Sequence, residues 1–159
     1  MDFRTIVPAG LGIIVISAGM LFGGSHGQGG PHDAAIKARK AQMQLYAFNI
    51  GKLGAMAKGE AEYNADAAQA AADNIATMTG INGMAMWPQG SDNGAQQGTR
   101  ALPAMWANFP DVGTKAQALK DAAAAMQAAA GTDLGALQGA MSALGGACGA
   151  CHKAYRQPE

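Results

Sequence analysis

The chain has 159 residues, enough for one domain with one sizeable core, and its 11 basic and 11 acidic side chains give a net charge of zero. A neutral chain lacks the basic excess that is typical of nucleic-acid-binding proteins. Alanine and glycine dominate the composition and Val112 is the single valine after residue 30, which excludes an all-β fold and favours helices.

The first segment of the chain is apolar. No charged residue lies between Ile6 and Phe22, and a helix extended to Gly24 would be about 28 Å long, close to the thickness of a bilayer's hydrocarbon core. A cleaved secretory signal is the alternative interpretation. The residues that follow this segment, however, lack the Ala-x-Ala pattern of a signal cleavage site. We therefore predict a retained transmembrane anchor over residues 1–24, with Arg4 on the cytoplasmic side and the following chain exported.

The rest of the chain predicts a tether and a helical domain. Residues 25–32 are rich in glycine, as in flexible tethers. From residue 33 to residue 159, apolar side chains recur in steps of three and four, as on the inner faces of amphipathic helices. A long polar loop over 80–101 and a proline at 110, which predicts a kink or a break, interrupt the pattern. We predict an antiparallel up-down-up-down four-helix bundle with helices at 33–58, 65–79, 103–130 and 133–155. The predicted N-caps of the first, second and fourth helices are Asp33, Asn64 and Asp133, and Gly59 and Gly80 are predicted to end the first two.

The motif that carries chemistry is Cys148-Gly149-Ala150-Cys151-His152, the C-x-x-C-H pattern of covalent haem attachment. Two thiols one helical turn apart can form thioethers with the two vinyl groups of one haem, and the adjacent histidine can then bind the iron. A thioredoxin-like dithiol follows a strand, whereas an amphipathic helix precedes this motif, and a zinc site needs further ligands. We predict one covalently attached haem c, held by Cys148 and Cys151, with His152 as an axial ligand.

The bundle topology also predicts a residue for the opposite side of the iron. The end of the fourth helix lies level with residues 39–47 of the first helix. Met43 is the one candidate ligand on the inner face of that segment, and thioether sulfur is a good soft ligand for haem iron. We predict that Met43 binds the iron opposite His152; packing over the haem without a bond is the alternative.

Two arginines flank these candidate ligands. Arg156 follows His152 by one helical turn, and Arg39 precedes Met43 by one turn. Either side chain could pair with a haem propionate or with a neighbouring carboxylate. A solvated cation interacting with the helix dipole is equally compatible with Arg156 and is favoured for Arg39. Arg156 is therefore included among the predicted cofactor-binding residues.

The sequence resembles the class II c-type cytochromes, the cytochrome c′ family, over roughly residues 33–157. The resemblance rests on Ala38-Arg39, on Trp106-Ala107-Asn108 and on the run from Cys148 to Arg156. It implies a four-helix bundle with the haem held between the helices. The family has a high-spin branch with five-coordinate iron and a low-spin branch with a methionine ligand.

The first helix resembles the low-spin branch. Met43 precedes Ala57-Lys58-Gly59-Glu60, as a methionine does in the members of that branch. The resemblance therefore implies Met43 and His152 as the two axial ligands. The family also includes soluble members, and residues 1–30 lie outside the resemblance.

Charge placement suggests the partner. A basic rim around the haem edge would steer the domain toward an acidic docking site on a membrane electron-transfer complex, such as a cytochrome bc1-type reductase, a terminal oxidase or a photosynthetic reaction centre. We expect a membrane-anchored electron carrier, monomeric or homodimeric, with its haem domain on the periplasmic side of the inner membrane and with no enzymatic activity. A nitric oxide-binding protein with an open sixth position and a permanent accessory haem subunit are the alternatives. The predicted rim comprises Lys37, Arg39, Lys40, Arg100, Lys153 and Arg156, diluted by Asp33, Asp92 and Glu159.

Overall fold

Helices make up most of the computed structural model, which describes residues 30–159. The predicted anchor at 1–24 and most of the predicted tether lie outside the described residues. Within residues 30–159, no helix is both long enough and apolar enough to cross a membrane. The helices are α1 (Asp33–Ala57), α2 (Ala65–Thr79), α3 (Ala104–Ala107), α4 (Phe109–Ala129) and α5 (Leu134–Tyr155), with a 3-10 turn at Met84–Met86.

The ends of three helices follow their sequence signals. The Asn64 side chain accepts a hydrogen bond from the backbone N–H of Ala67 at 2.8 Å, and Asp133 caps α5 in the same way. At the end of α1, Gly59 adopts a φ of 74°, which lets the backbone N–H of Glu60 reach back to the carbonyl of Ala55 at 2.8 Å. The predicted bounds of α2 and the predicted caps Asn64 and Asp133 are therefore confirmed.

One detail differs from the sequence prediction. Asp33 is not the N-cap of α1, because His32 occupies that position and Asp33 lies in the first turn, paired with Lys37 at 2.8 Å. A carboxylate in the first turn still interacts favourably with the helix dipole.

The break predicted near Pro110 is confirmed. The third helix is divided at Asn108 into α3 and α4, and Pro110 lies in the first turn of α4. A residue in the first turn of a helix has no intrahelical partner for its backbone N–H, so proline is tolerated there.

The four long helices form the predicted antiparallel bundle. α1 packs against α2 and α5, and α4 packs against the same two helices. The segment between α2 and α4 crosses the end of the bundle that carries Cys148 and His152, and it pairs with the C-terminal tail, where the backbone N–H of Gln157 donates to the Arg100 carbonyl at 2.8 Å.

The main core cluster has Leu53, Ile75, Met126, Leu137 and Leu144 as its fully buried large side chains. Ile36, Met105 and Tyr155 are further buried apolar side chains outside that cluster.

Candidate haem-binding site

The last two turns of α5 carry the C-x-x-C-H motif. Cys148 and Cys151 are free thiols, both half-buried, and their spacing of three residues places them on one face of the helix. His152 follows directly and is also half-buried. The three side chains can therefore approach one flat group from the same helix.

The register of α1 against α5 places Met43 level with His152. The Gln138 side chain donates to the Ala57 carbonyl at 2.8 Å, and the Met141 methyl lies 3.8 Å from the position of a Cβ on Gly54. Antiparallel helices have the same rise per residue, so equal steps along both keep residues opposite each other. Met43 lies eleven residues before Gly54 on α1, and His152 lies eleven residues after Met141 on α5. Both are therefore about 17 Å along the bundle from the Gly54–Met141 contact.

The surroundings of the motif leave room for a large flat cofactor. Gly145 and Gly149 lie on the same side of α5 as His152, and within the described chain nothing lies within 4 Å of the Cβ that either would carry. On α1, the Tyr46 side chain is buried near Cys148, whose charge raises the pKa of the Tyr46 hydroxyl after the larger effect of burial. The donor set and the space around it fit a haem between α1 and α5.

Burial keeps the attachment residues in their uncharged forms. It lowers the pKa of His152, and the positive charges of Arg156 and Arg100 lower it further, so the imidazole is neutral at pH 7 and free to bind a metal. Burial also raises the pKa of both cysteine thiols. The turn therefore presents two thiols and a neutral imidazole, the protonation states from which haem attachment starts.

The comparison with known families is decisive at this point. A family model described as Cytochrome C′ matches residues 34–156. The chain belongs to the cytochrome c′ family. Proteins of this family carry covalently attached haem c, so the prediction of one haem c is confirmed, and Cys148 and Cys151 lie in the C-x-x-C-H motif.

Individual relatives agree with this assignment. Cytochrome c-554 from Cereibacter sphaeroides is 46% identical over 124 residues, which cover 78% of this chain and 81% of that protein. The solved cytochrome c′ from Rhodobacter sphaeroides is 34% identical with a TM-score of 0.79, and the match covers 80% of this chain and 98% of that one. A nitric oxide complex of a cytochrome c′ variant from Alcaligenes xylosoxidans is 30% identical with a TM-score of 0.68, covering 80% and 97% of the two chains.

Arg39 is buried in this cytochrome c′ fold, whereas the sequence analysis favoured a solvated cation. It is not solvated, since only 3% of its surface is exposed. Its Nη1 donates to Ser91 Oγ at 2.6 Å and to the Met86 carbonyl at 3.3 Å, and its Nη2 donates to Thr99 Oγ1 at 2.6 Å and to the Ser91 carbonyl. The guanidinium also lies 4.6 Å from the centroid of the Trp87 ring. Arg39 therefore binds the segment between α2 and α3, called the crossover segment below, to α1. It lies one helical turn before Met43, the predicted sixth ligand.

The basic rim of the haem domain is smaller than predicted. Lys153 and Arg156 are exposed on the last turn of α5 and at its end, and within residues 30–159 neither forms an ion pair. Lys40 is exposed and donates to the Gly98 carbonyl at 3.2 Å. The other three members are engaged elsewhere: Arg39 is buried, Lys37 pairs with Asp33 at 2.8 Å, and Arg100 pairs with Glu159 at 2.6 Å.

Arg156 lies close to His152 in space as well as in sequence. Its backbone forms an isolated antiparallel bridge with Ala101, and its positive charge acts on His152. Contact between Arg156 and a haem propionate stays a prediction.

The sequence analysis did not identify a polar contact between α4 and α5. Tyr155 is buried, and its Oη donates to Asp111 Oδ2 at 2.5 Å. Lys115 lies one turn further along α4, with its Nζ 3.5 Å from Asp111 Oδ2, and the antiparallel register places it level with Cys151. Both charges act on the Cys151 thiol, where burial has the largest effect, Lys115 lowers the pKa and Asp111 raises it.

Proposed function

We propose that this chain is an exported one-electron carrier in which His152 and Met43 bind the haem iron from opposite sides. The observation that carries the proposal is the α1–α5 register, which brings Met43 level with His152. The haem supplies a reversible ferric–ferrous couple. The chain holds it covalently at Cys148 and Cys151 and offers a neutral imidazole on one side and a thioether on the other.

The chemistry of this ligand set suits electron transfer. Methionine–histidine ligation raises the reduction potential of a haem and leaves no open position on the iron for a substrate. A carrier that exchanges single electrons needs no general acid, base or nucleophile. We therefore propose that the protein has no enzymatic activity of its own.

The ferric optical spectrum of the holoprotein tests the ligand set. We expect a low-spin spectrum with the far-red charge-transfer band of methionine-ligated ferric haem. Met43→Leu should remove that band and convert the iron to the high-spin state, whereas Met84→Leu, which changes a methionine that is 60% exposed, should leave the spectrum unaltered. A high-spin spectrum of the unmodified protein would show that Met43 does not bind the iron.

A second function, gas binding, has one observation in its favour: the chain is similar to a cytochrome c′ variant that was solved with nitric oxide bound. Stopped-flow mixing with carbon monoxide separates the two functions: the carrier binds slowly or not at all and Met43→Leu binds rapidly, whereas a gas-binding protein already binds rapidly without the substitution.

We further propose that residues 1–24 anchor the carrier in the inner membrane, with the haem domain in the periplasm. The support is the uncharged stretch from Ile6 to Phe22, preceded by Arg4. High salt should then leave the protein on membranes while detergent releases it, and the intact mass of the native protein should include residues 1–24. A mature protein that begins near His26 would instead mean that the segment is a cleaved signal.

The proposed partner is a membrane electron-transfer complex with an acidic docking site, a reductase, an oxidase or a photosynthetic reaction centre, either in transient contact or as a permanent assembly. The exposed cations Lys153 and Arg156 lie beside the haem attachment turn and support this choice. Lys153→Glu with Arg156→Glu should slow electron delivery to membranes about tenfold or more at low salt, and high salt should reduce the difference. The matched double reversal Lys52→Glu with Lys120→Glu, at exposed positions on α1 and α4, should have little effect. Equal slowing in both variants would rule out a docking site at the end of α5.

A further inference from the structure

Asp111 and Lys115, which carry opposite charges, lie near Cys151 on the haem attachment turn. Asp111 and Lys115 are one turn apart on α4 and form an ion pair of 3.5 Å. The Tyr155 hydroxyl, in the last turn of α5, donates to the Asp111 carboxylate at 2.5 Å and thereby fixes the level at which α4 meets α5. One turn away on each helix, Lys115 and Cys151 lie at the same level.

We propose that Asp111 and Lys115 exert opposite and nearly balanced effects on the reduction potential of the haem attached at Cys151, and that Tyr155 is the positioning residue that holds the Asp111 carboxylate. This inference rests on the proposed carrier function. In the reaction concerned, ferric haem takes one electron from an external one-electron donor and later passes it to a one-electron acceptor. No bond is broken, and neither Asp111 nor Lys115 exchanges a proton.

The physical basis is the charge difference between the two oxidation states. Ferric haem carries one more positive charge than ferrous haem, so a nearby carboxylate stabilises the ferric form and a nearby ammonium stabilises the ferrous form. Asp111 and Lys115 are both partly buried, with side chains 38% and 24% exposed, so solvent screens their fields less than those of fully exposed charges. Their effects on the reduction potential have opposite signs. Removal of either charge should therefore leave the effect of the other uncompensated.

Midpoint potentials of the holoprotein, measured by mediated spectroelectrochemical titration, test this balance. At a fixed applied potential, Asp111→Asn should raise the ratio of ferrous to ferric protein about threefold to tenfold, and Lys115→Gln should lower it by a similar factor. The double variant should return to within about twofold of the unmodified protein, because both charges are then absent. Shifts of the same sign, or no shift in either single variant, would overturn the proposal.

Two matched substitutions on the same helix control for total charge. Asp121→Asn and Lys120→Gln change the charge in the same way on exposed residues, and Asp121 is ten residues, about 15 Å, further along α4 than Asp111. Each should change the ratio by less than about twofold. Shifts as large as those of the Asp111 and Lys115 variants would show that the potential follows the net charge of the protein and not the positions of Asp111 and Lys115.

The role of Tyr155 is tested by repeating Asp111→Asn in a Tyr155→Phe background. If Tyr155 positions the carboxylate, the shift caused by Asp111→Asn becomes smaller without the hydroxyl; an undiminished shift would remove Tyr155 from the proposal. The ferric spectrum of each variant is recorded alongside. A high-spin spectrum of the unmodified protein would contradict the carrier function, whereas the potential shifts report on the ion pair alone.

Discussion

At the end of the bundle where α1 ends and α5 begins, the side chains of Leu53, Met126 and Leu137 are fully buried. At the opposite end, the haem end, α5 carries Cys148, Cys151 and His152, and Met43 of α1 lies level with His152. The first end closes its core with protein side chains. The second end carries the residues that hold the cofactor.

Because proteins of this family carry covalently attached haem c, we expect the haem to be a structural part of the haem end. A cofactor held between α1 and α5 adds apolar surface there, so its contacts with the chain also contribute to the free energy of folding. Substitutions at the closed end should therefore change stability and leave the spectrum intact. Substitutions at the haem end should change the cofactor first.

The largest effect is expected for removal of both attachment thiols. Cys148→Ala with Cys151→Ala should abolish covalent haem, and each single variant should lower the yield of holoprotein, because one thioether remains possible. Acid–acetone extraction followed by an intact-mass measurement checks this result. Ser142→Ala, on an exposed position of the same helix, should retain its haem fully. Covalent haem in the double variant would contradict the assignment of both attachment sites.

A core truncation at the closed end should affect stability alone. Leu53→Ala is expected to lower the free energy of unfolding by about 3 kcal/mol, since it removes buried methyl groups and leaves a cavity among well-packed neighbours. Leu45→Ala on the same helix, where the leucine is 54% exposed, should cost about 0.5 kcal/mol or less. Urea unfolding of the holoproteins gives both values. A change in the ferric spectrum of Leu53→Ala would show that the two ends are not independent.

Loss of the buried guanidinium should have a slightly smaller effect. Arg39→Met removes donors to Ser91 and Thr99 and is expected to cost about 2 to 3 kcal/mol, because a buried hydroxyl and buried carbonyls lose charged partners. Lys37→Met, two residues earlier, breaks only an exposed pair with Asp33 and should cost about 0.5 kcal/mol or less. Urea unfolding measures both. Equal costs would mean that Arg39 does not fasten the crossover segment.

These substitutions also mark what could be predicted from the sequence. The helices, the caps Asn64 and Asp133 and the level of Met43 follow from local signals and from the constant rise of antiparallel helices. The partners of Arg39 could not be predicted in this way. Ser91 and Thr99 lie in a crossover segment without periodicity, and only the folded chain brings that segment over α1.

The contact between α4 and α5 was missed for a related reason. Tyr155 occupies an inner position of α5, and its ring is buried in the core. Its hydroxyl, however, reaches Asp111, and the register of α4 depends on the break at Asn108, whose exact position the sequence does not define. A pattern of apolar positions therefore predicts that a tyrosine ring is buried, but it does not predict the hydrogen-bond partner of the hydroxyl.

The smallest effect, and the sharpest in its pH dependence, is expected for Tyr155→Phe. The hydrogen bond from Tyr155 lowers the pKa of Asp111 and raises that of Tyr155 itself. A depressed carboxyl pKa contributes stability above the ordinary aspartate pKa, about 4, and loses it as the pH falls through the lower folded value; a raised tyrosine pKa contributes stability below about 10 and loses it as the pH rises further. The stability difference between the unmodified protein and Tyr155→Phe should therefore be constant between about pH 5 and 9 and shrink on both sides.

Tyr63→Phe is the matched control for this profile. Tyr63 Oη donates to the backbone carbonyl of Ala130 at 2.9 Å, an acceptor that does not titrate. Urea unfolding between pH 3 and 10 should therefore show a stability loss for Tyr63→Phe that stays level at the acid end, where the loss for Tyr155→Phe becomes smaller. If both differences were flat at acid pH, the Tyr155 hydroxyl would not be bonded to an ionised Asp111, and the haem end would be joined to α4 by apolar packing alone.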